Sequence, residues 1–272
     1  MSIMRSSNPA LRAFAEPQRV GDAPIRSSGS RAVQSNTMTV GGTVTATGIL
    51  VGICSATAIG SWALVSNPAN AGLTMPLIFG GLIAGLVFGL IISFKPRTAP
   101  FLAPIYAACE GLFLGAFSLI VSKNIPQSAG GGADNTIVFQ AIGLTFGVAA
   151  VMLIAYGTRI IRPGRIFRSV VISATGGIML FYVVAMVGSL FGFKAMSGLL
   201  SFDNASPLSI GISLFVVAIA SLNLVLDFEF IEKGANRNLP KYMEWYGGFA
   251  LLVTLVWLYI ELLRLLSKLR NR

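Results

Sequence analysis

From about residue 44 onward the chain consists of long apolar runs, broken at short intervals by clusters of glycine, proline and basic residues. A helix needs about 20 apolar residues to cross a hydrocarbon core ~30 Å thick. Seven stretches meet that length: about 44 to 65, 73 to 94, 100 to 122, 136 to 157, 169 to 192, 207 to 231 and 246 to 266. The breaks carry turn chemistry, in SNPANAG, KPRTAP, NIPQSAGGGADN, RIIRPGR, FKAMSGLLSFDNASP and GANRNLPKYMEWY. The pattern predicts an all-α membrane protein, with residues 39–272 forming one seven-transmembrane-helix bundle whose connections are too short to hold a soluble domain. The short KPRTAP link makes the second and third helices an antiparallel hairpin.

Before residue 39 the pattern changes. Residues 1–38 are rich in Ser, Arg, Asn and Pro, lack hydrophobic periodicity and read as a disordered cytoplasmic tail. They contain neither the short apolar core nor the small-residue cleavage site of a secretory signal, so the first apolar stretch is expected to stay as a membrane helix.

Charge sets the orientation. Only 11% of residues are charged, against about 25% in soluble domains. The net charge of +10 is spread over loops and tails, which points to anionic lipid headgroups of the bilayer as partners and away from nucleic acid. A cytoplasmic N-terminus places Arg5, Arg12, Arg19, Arg26, Arg31, Lys95, Arg97, Arg159, Arg162, Arg165, Arg168, Lys233, Arg237 and Lys241 inside, and leaves Lys123 and Lys194 in outside loops. Seven full crossings are expected, and they put Arg264, Lys268, Arg270 and Arg272 on the outside, against that bias.

Several chemistries are missing their residues. There is no histidine, which removes Ser-His-Asp triads, HExxH zinc sites and imidazole switches. Cys54 and Cys109 lie in apolar segments and read as small packing residues. A GxxxxGK[ST] phosphate loop, a GxSxG serine and an intramembrane aspartate pair are all lacking, so no enzyme and no cofactor are expected. Glycines recur at four-residue spacing at Gly48 and Gly52; at Gly81, Gly85 and Gly89; at Gly111 and Gly115; at Gly143 and Gly147; and at Gly188 and Gly192, a spacing that lets helix backbones approach in lipid.

Three acids fall inside predicted spans: Glu110 in the third, Asp227 in the sixth and Glu261 in the seventh. A carboxylate at the centre of a membrane helix costs on the order of 2.5–3.5 kcal/mol, so a chain that keeps one usually uses it. From the proposed cytoplasmic boundary, helical rise places Asp227 roughly 7 Å deep, Glu110 roughly 15 Å and Glu261 roughly 22 Å, a stagger suited to a cation or proton path. Each has a plainer reading. Asp227 can reach headgroup water, Glu110 can bond a neighbouring helix, and Glu261 can pair with Arg264 three residues on. Asn223, one turn before Asp227, can donate to its carboxylate, while Glu229 and Lys233 have the spacing of a solvated salt bridge. Lys95 and Arg97 emerge on the same side from the second helix. A cation reaching Asp227 makes a pH-dependent latch, closed when the carboxylate is ionised and paired, loosened when it is protonated.

With seven spans, EGLFLGAFS from Glu110, NLVLDFEFIE around Asp227 and a last helix ending in LLRLL, the chain resembles the bacterial branch of the Bax inhibitor family, the transmembrane Bax-inhibitor-motif proteins. The resemblance covers about residues 40 to 270. It implies a multi-pass protein of the bacterial inner membrane, with the last helix central to the bundle, acting as a pH-sensitive calcium leak. Calcium would be the transported ion, held near Asp227, rather than a resident cofactor. Such proteins use one aspartate on the sixth helix, one on the seventh and a basic residue from the second. Asp227 matches the first, and Lys95 and Arg97 are candidates for the last by position. The seventh-helix position falls on or near Thr254, and Glu261 lies two turns further, roughly 15 Å deeper than Asp227. Some bacterial relatives inhibit a membrane-anchored, ATP-dependent quality-control protease, so the alternative implied function is a regulator with no transport of its own, whose N-terminal tail engages that partner.

Overall fold

The computed structural model describes residues 36–124, 135–192, 198 and 201–271. Lys194, Arg272, the five arginines before residue 36 and most of the expected tail lie outside the described residues. The helices are α1 (Val40–Ser66), α2 (Thr74–Phe94), α3 (Ala99–Asn124), α4 (Asn135–Gly157), α5 (Arg165–Leu190), α6 (Pro207–Asn236) and α7 (Met243–Arg270). All seven are long and apolar enough to cross a membrane.

The helices outrun the apolar stretches where interfacial residues continue the hydrogen-bond ladder, α6 through EKGAN and α7 through LLSKLR. Local chemistry fixes their ends. The Thr39 hydroxyl accepts from the amide of Gly42 to cap α1, and Ser206 accepts from Ser209 ahead of α6, with Pro207 in the first turn. α4 and α6 close through left-handed residues, Arg159 at φ 58° and Asn238 at φ 51°. There the amides of Ile161 and Leu239 reach back to the carbonyls of Ala155 and Gly234.

α7 is central, packing against α1, α3, α4 and α6, and α3 beside it packs against α1, α2, α4 and α7. Lipid tails are as apolar as leucine, so helices associate through close fit and polar ties rather than through a hydrophobic drive. On α3, a Cβ at Gly111 would run into Thr57 and the Cys54 carbonyl, and one at Gly115 into the Ala58 carbonyl; the α1 and α3 backbones therefore touch. Gly81 of α2 likewise lies against the Cys109 carbonyl and the Phe113 amide of α3. The four-residue spacing misleads elsewhere. Gly48, Gly52, Gly143 and Gly147 face open space and mark no helix contact.

α5 is held differently, by one stripe. Val171, Ile178 and Ala185 are buried at seven-residue intervals, alternating with Arg168, Thr175 and Tyr182, which make polar bonds to α6 and α7. A seven-residue repeat keeps one seam facing a partner helix at a small crossing angle.

The segment leading into α1 is also fixed. Thr37 bridges Pro240, the Met38 amide donates to the Leu239 carbonyl at 2.6 Å and Lys241 donates to Asn36 at 3.1 Å. Met38 is 2% exposed, set against Gly234 and Gly247.

Candidate functional site

α6 and α7 run antiparallel across the turn at residues 237–242. Leu224 and Ile231 of α6 share an apolar cluster with Leu251 and Leu258 of α7. Asp227 lies three residues after Leu224 and four before Ile231; Thr254 has the same relation to Leu251 and Leu258. Helical spacing thus places both on the buried seam. There the Thr254 hydroxyl donates to Asp227 Oδ2 at 2.6 Å. Thr254 is buried and Asp227 half-buried.

Asn223 does not bond this carboxylate. Its amide turns towards α5, donating to Thr175 Oγ1 at 2.8 Å and to the Ile219 carbonyl at 2.9 Å. Lys95 and Arg97 are exposed, in the short link that leaves α2, which packs on α3 rather than on α6. Among the described residues no basic group forms an ion pair with Asp227, and the ion pairs present involve Glu229 and Glu261. Glu229 takes Arg168 from α5 and its own-helix Lys233, and Tyr156 of α4 donates to Glu232.

Glu110 faces α2. Its Oε1 lies 3.0 Å from where a Cβ of Gly85 would stand, and Tyr106 is its neighbour one turn earlier. Glu261 is 1% exposed and fully partnered. Arg264 Nη1 donates to both of its oxygens at 2.7 and 2.9 Å, and the Tyr182 hydroxyl donates to Oε1 at 2.5 Å. The guanidinium also bonds the Tyr182 oxygen at 2.9 Å and lies over the rings of Tyr182 and Phe202. One turn on, the buried Lys268 donates to Ser213 Oγ at 2.9 Å and to the Ser209 carbonyl at 3.2 Å. The three membrane acids therefore occupy three separate settings, and no group of three His, Cys, Asp or Glu able to hold a metal occurs among the described residues. A calcium ion at Asp227 would draw its other oxygen ligands from Thr254, backbone carbonyls or water.

Tyr182, Arg168 and Glu244 carry polar structure that the acid-by-acid reading of the sequence passes over. The seven-residue spacing of Arg168, Thr175 and Tyr182 is a signal for the first two ties of α5 and for the third. Glu244 is placed only by the fold. It accepts from the Thr39 amide at 3.0 Å and the Thr39 hydroxyl at 2.8 Å, at the positive end of the α1 dipole.

The sequence matches the family described as Bax inhibitor 1 like over residues 8–271, nearly the whole chain. The chain belongs to that family. No curated protein and no solved structure gives a significant match. In this Bax inhibitor 1 like bundle the sixth-helix acid, Asp227, therefore faces a hydroxyl on the seventh helix where a second carboxylate would form a pair.

Proposed function

We propose that this Bax inhibitor 1 like protein permits a slow, pH-modulated leak of cations such as calcium, with the Asp227–Thr254 hydrogen bond as the latch between α6 and α7. The observation that carries this reading is that bond, set between two apolar layers on the seam with no basic partner. The latch lies nearer the end of the bundle where Lys95, Arg97, Arg159, Arg162, Arg165, Lys233, Arg237 and Lys241 gather, which supports a cytoplasmic placement of that end.

The size of the pH effect follows from the partner. A hydrogen bond to a charged group contributes about 1.5–3 kcal/mol and one between neutral groups about 0.5–1.5 kcal/mol. Protonating Asp227 keeps the bond but weakens it by about 1 to 1.5 kcal/mol, roughly five- to twelve-fold in the open-to-closed ratio. Acid therefore loosens the latch without abolishing it. A true ion pair with Lys95 or Arg97 would swing further, and neither is in place.

Purified protein in liposomes, followed with internal calcium and proton indicators, tests the reading. Flux should rise by about tenfold from alkaline to acid pH, and Asp227→Asn should flatten that dependence. Flux no greater than in empty liposomes overturns the leak; an unchanged pH profile in Asp227→Asn overturns the latch.

A further inference from the structure

α1 and α4 both pack on α7 with little or no contact between themselves, and the gap between them is a cavity of ≈ 550 Å³. Its floor is Cys54, Ser118, Val256 and Tyr259, with the Ser118 and Tyr259 oxygens bonded to each other at 2.7 Å and both residues buried. Its rims are Ile59 of α1, 70% exposed, and Phe139 of α4, 72% exposed. The gap therefore opens sideways, onto the surface the bundle presents to lipid. Folded interiors close-pack and leave few voids larger than a water molecule, so a recess of this size needs an occupant. An apolar lining excludes water as that occupant.

Length and volume choose among apolar occupants. The lining runs from Val51 to Trp62 on α1 and from Phe146 back to Asn135 on α4. Each stretch is roughly 16 Å of helix, about half of a ~30 Å hydrocarbon core. A transmembrane helix from a partner needs the whole core, and the recess is one leaflet deep. Its volume is that of a pocket for a single small ligand, about 300–1,000 Å³. Trp62 and Asn135 mark its end at the interface, where an aromatic ring and a polar amide suit the headgroup level.

We propose that this recess is a binding site for one acyl chain of a bilayer phospholipid, drawn from the leaflet on the side where α4 begins. The chain enters between Ile59 and Phe139, lies on Val256 and Tyr259, and keeps its headgroup outside near Trp62 and Asn135. The Cys54 thiol lies beneath it as part of the floor.

The full-length protein in liposomes containing phosphatidylcholine with a photoactivatable diazirine midway along one chain gives the test. After illumination, peptide mapping should find adducts on the floor residues Cys54, Val256 and Tyr259 as well as on lipid-facing Leu180 of α5. Ser55→Phe fills the recess from an exposed position, and floor adducts should fall at least about fivefold, since a close-packed recess has no room for a chain, while Leu180 adducts stay unchanged. Ile142→Trp, from the opposite wall, should give the same result. Adducts confined to Ile59, Phe139 and Leu180 in the unmodified protein overturn the proposal. So do floor adducts indifferent to both substitutions, or a floor shielded by a second copy, seen as a dimer linked through the rim in Ile59→Cys under mild oxidant.

Discussion

Thr254 and Asp227 meet across the α6–α7 seam at 2.6 Å, one hydroxyl donating to one carboxylate, with Leu224 and Leu258 on one side of the bond and Ile231 and Leu251 on the other. The donor is as informative as the acid. A threonine hydroxyl carries one proton and no charge, so it holds the seam without neutralising Asp227.

Thr254→Val keeps the shape of the side chain and removes the donor. The half-buried Asp227 then loses its partner, at a cost of about 1–3 kcal/mol. The expected outcome is a lower midpoint in thermal unfolding followed in detergent, and flux in liposomes that is high at every pH. Thr254→Ser restores the hydroxyl and should return both measurements close to those of the unmodified protein.

Thr254→Asp rebuilds a carboxylate pair on the same seam. Two carboxylates within hydrogen-bond reach cannot both ionise freely and share a proton, so titration of the site becomes coupled. Flux should then depend more steeply on pH than in the unmodified protein. Two carboxylates also suit calcium better than one, so calcium should raise the unfolding temperature of Thr254→Asp more than that of the parent chain.

Hydropathy made the seven helices legible, because membrane thickness converts directly into run length and the chain has few charges to blur the edges. Asp227 was legible for the same reason, as an acid out of place. Its surroundings were not. That Lys95 and Arg97 emerge at the same end as Asp227 follows from counting crossings, and that α2 packs on α3 follows from the short KPRTAP link and the spacing of Gly81; that this packing leaves α2 away from α6 is set by the order of helices round the bundle, which no spacing specifies. Gly48 and Gly52 show the converse, with the packing spacing but no neighbour. Lys268 reads as part of a basic tail in sequence, yet it ends buried against Ser209 and Ser213 because α7 continues past its apolar run.

Glu261 and Glu229 predict responses of very different size to the same change. Glu261 is enclosed with Arg264 and Tyr182, the acid 1% and the arginine side chain 13% exposed. Glu261→Gln leaves a buried guanidinium without its counter-charge, which costs about 3–5 kcal/mol. Glu229 is itself 10% exposed, but Arg168 and Lys233 are 41% and 44% exposed, so water can solvate both cations once the carboxylate is gone and the loss stays at about 1 kcal/mol or less. Thermal unfolding should therefore separate Glu261→Gln, with a large drop, from Glu229→Gln, with almost none. An equally small drop in both would place Glu261 in a hydrated path rather than in a structural tie.

Two glycines give a similar contrast. Gly111→Ala drives a methyl group into Thr57 and the Cys54 carbonyl, and forcing α1 from α3 should cost about 1–3 kcal/mol or more. Gly48→Ala meets nothing and removes a poor helix former, which should leave stability unchanged or raise it by up to about 1 kcal/mol. Unfolding midpoints of the two variants in one detergent decide the point.

The clamp at the start of α1 bears on the choice between a leak and a regulator of another membrane protein. Removing the N-terminal segment is the natural way to separate them, since a regulator that grips its partner through that segment should lose binding while a leak keeps its flux. The position of the cut matters. Deleting residues 1–38 also removes Met38, whose burial contributes about 1.5–3 kcal/mol, together with the backbone bonds from residues 36–38 to Leu239 and Lys241. Those bonds tie α1 to the α6–α7 turn, nine residues of α6 beyond the latch at Asp227. Deletion to residue 38 should therefore lower the unfolding midpoint and raise flux through a loosened seam, whatever the protein binds. Deletion of residues 1–35 leaves the clamp whole, so flux and unfolding should match the full chain. If the shorter deletion alone changes flux, the segment before residue 36 acts on the seam directly, and the leak and the regulator are one device.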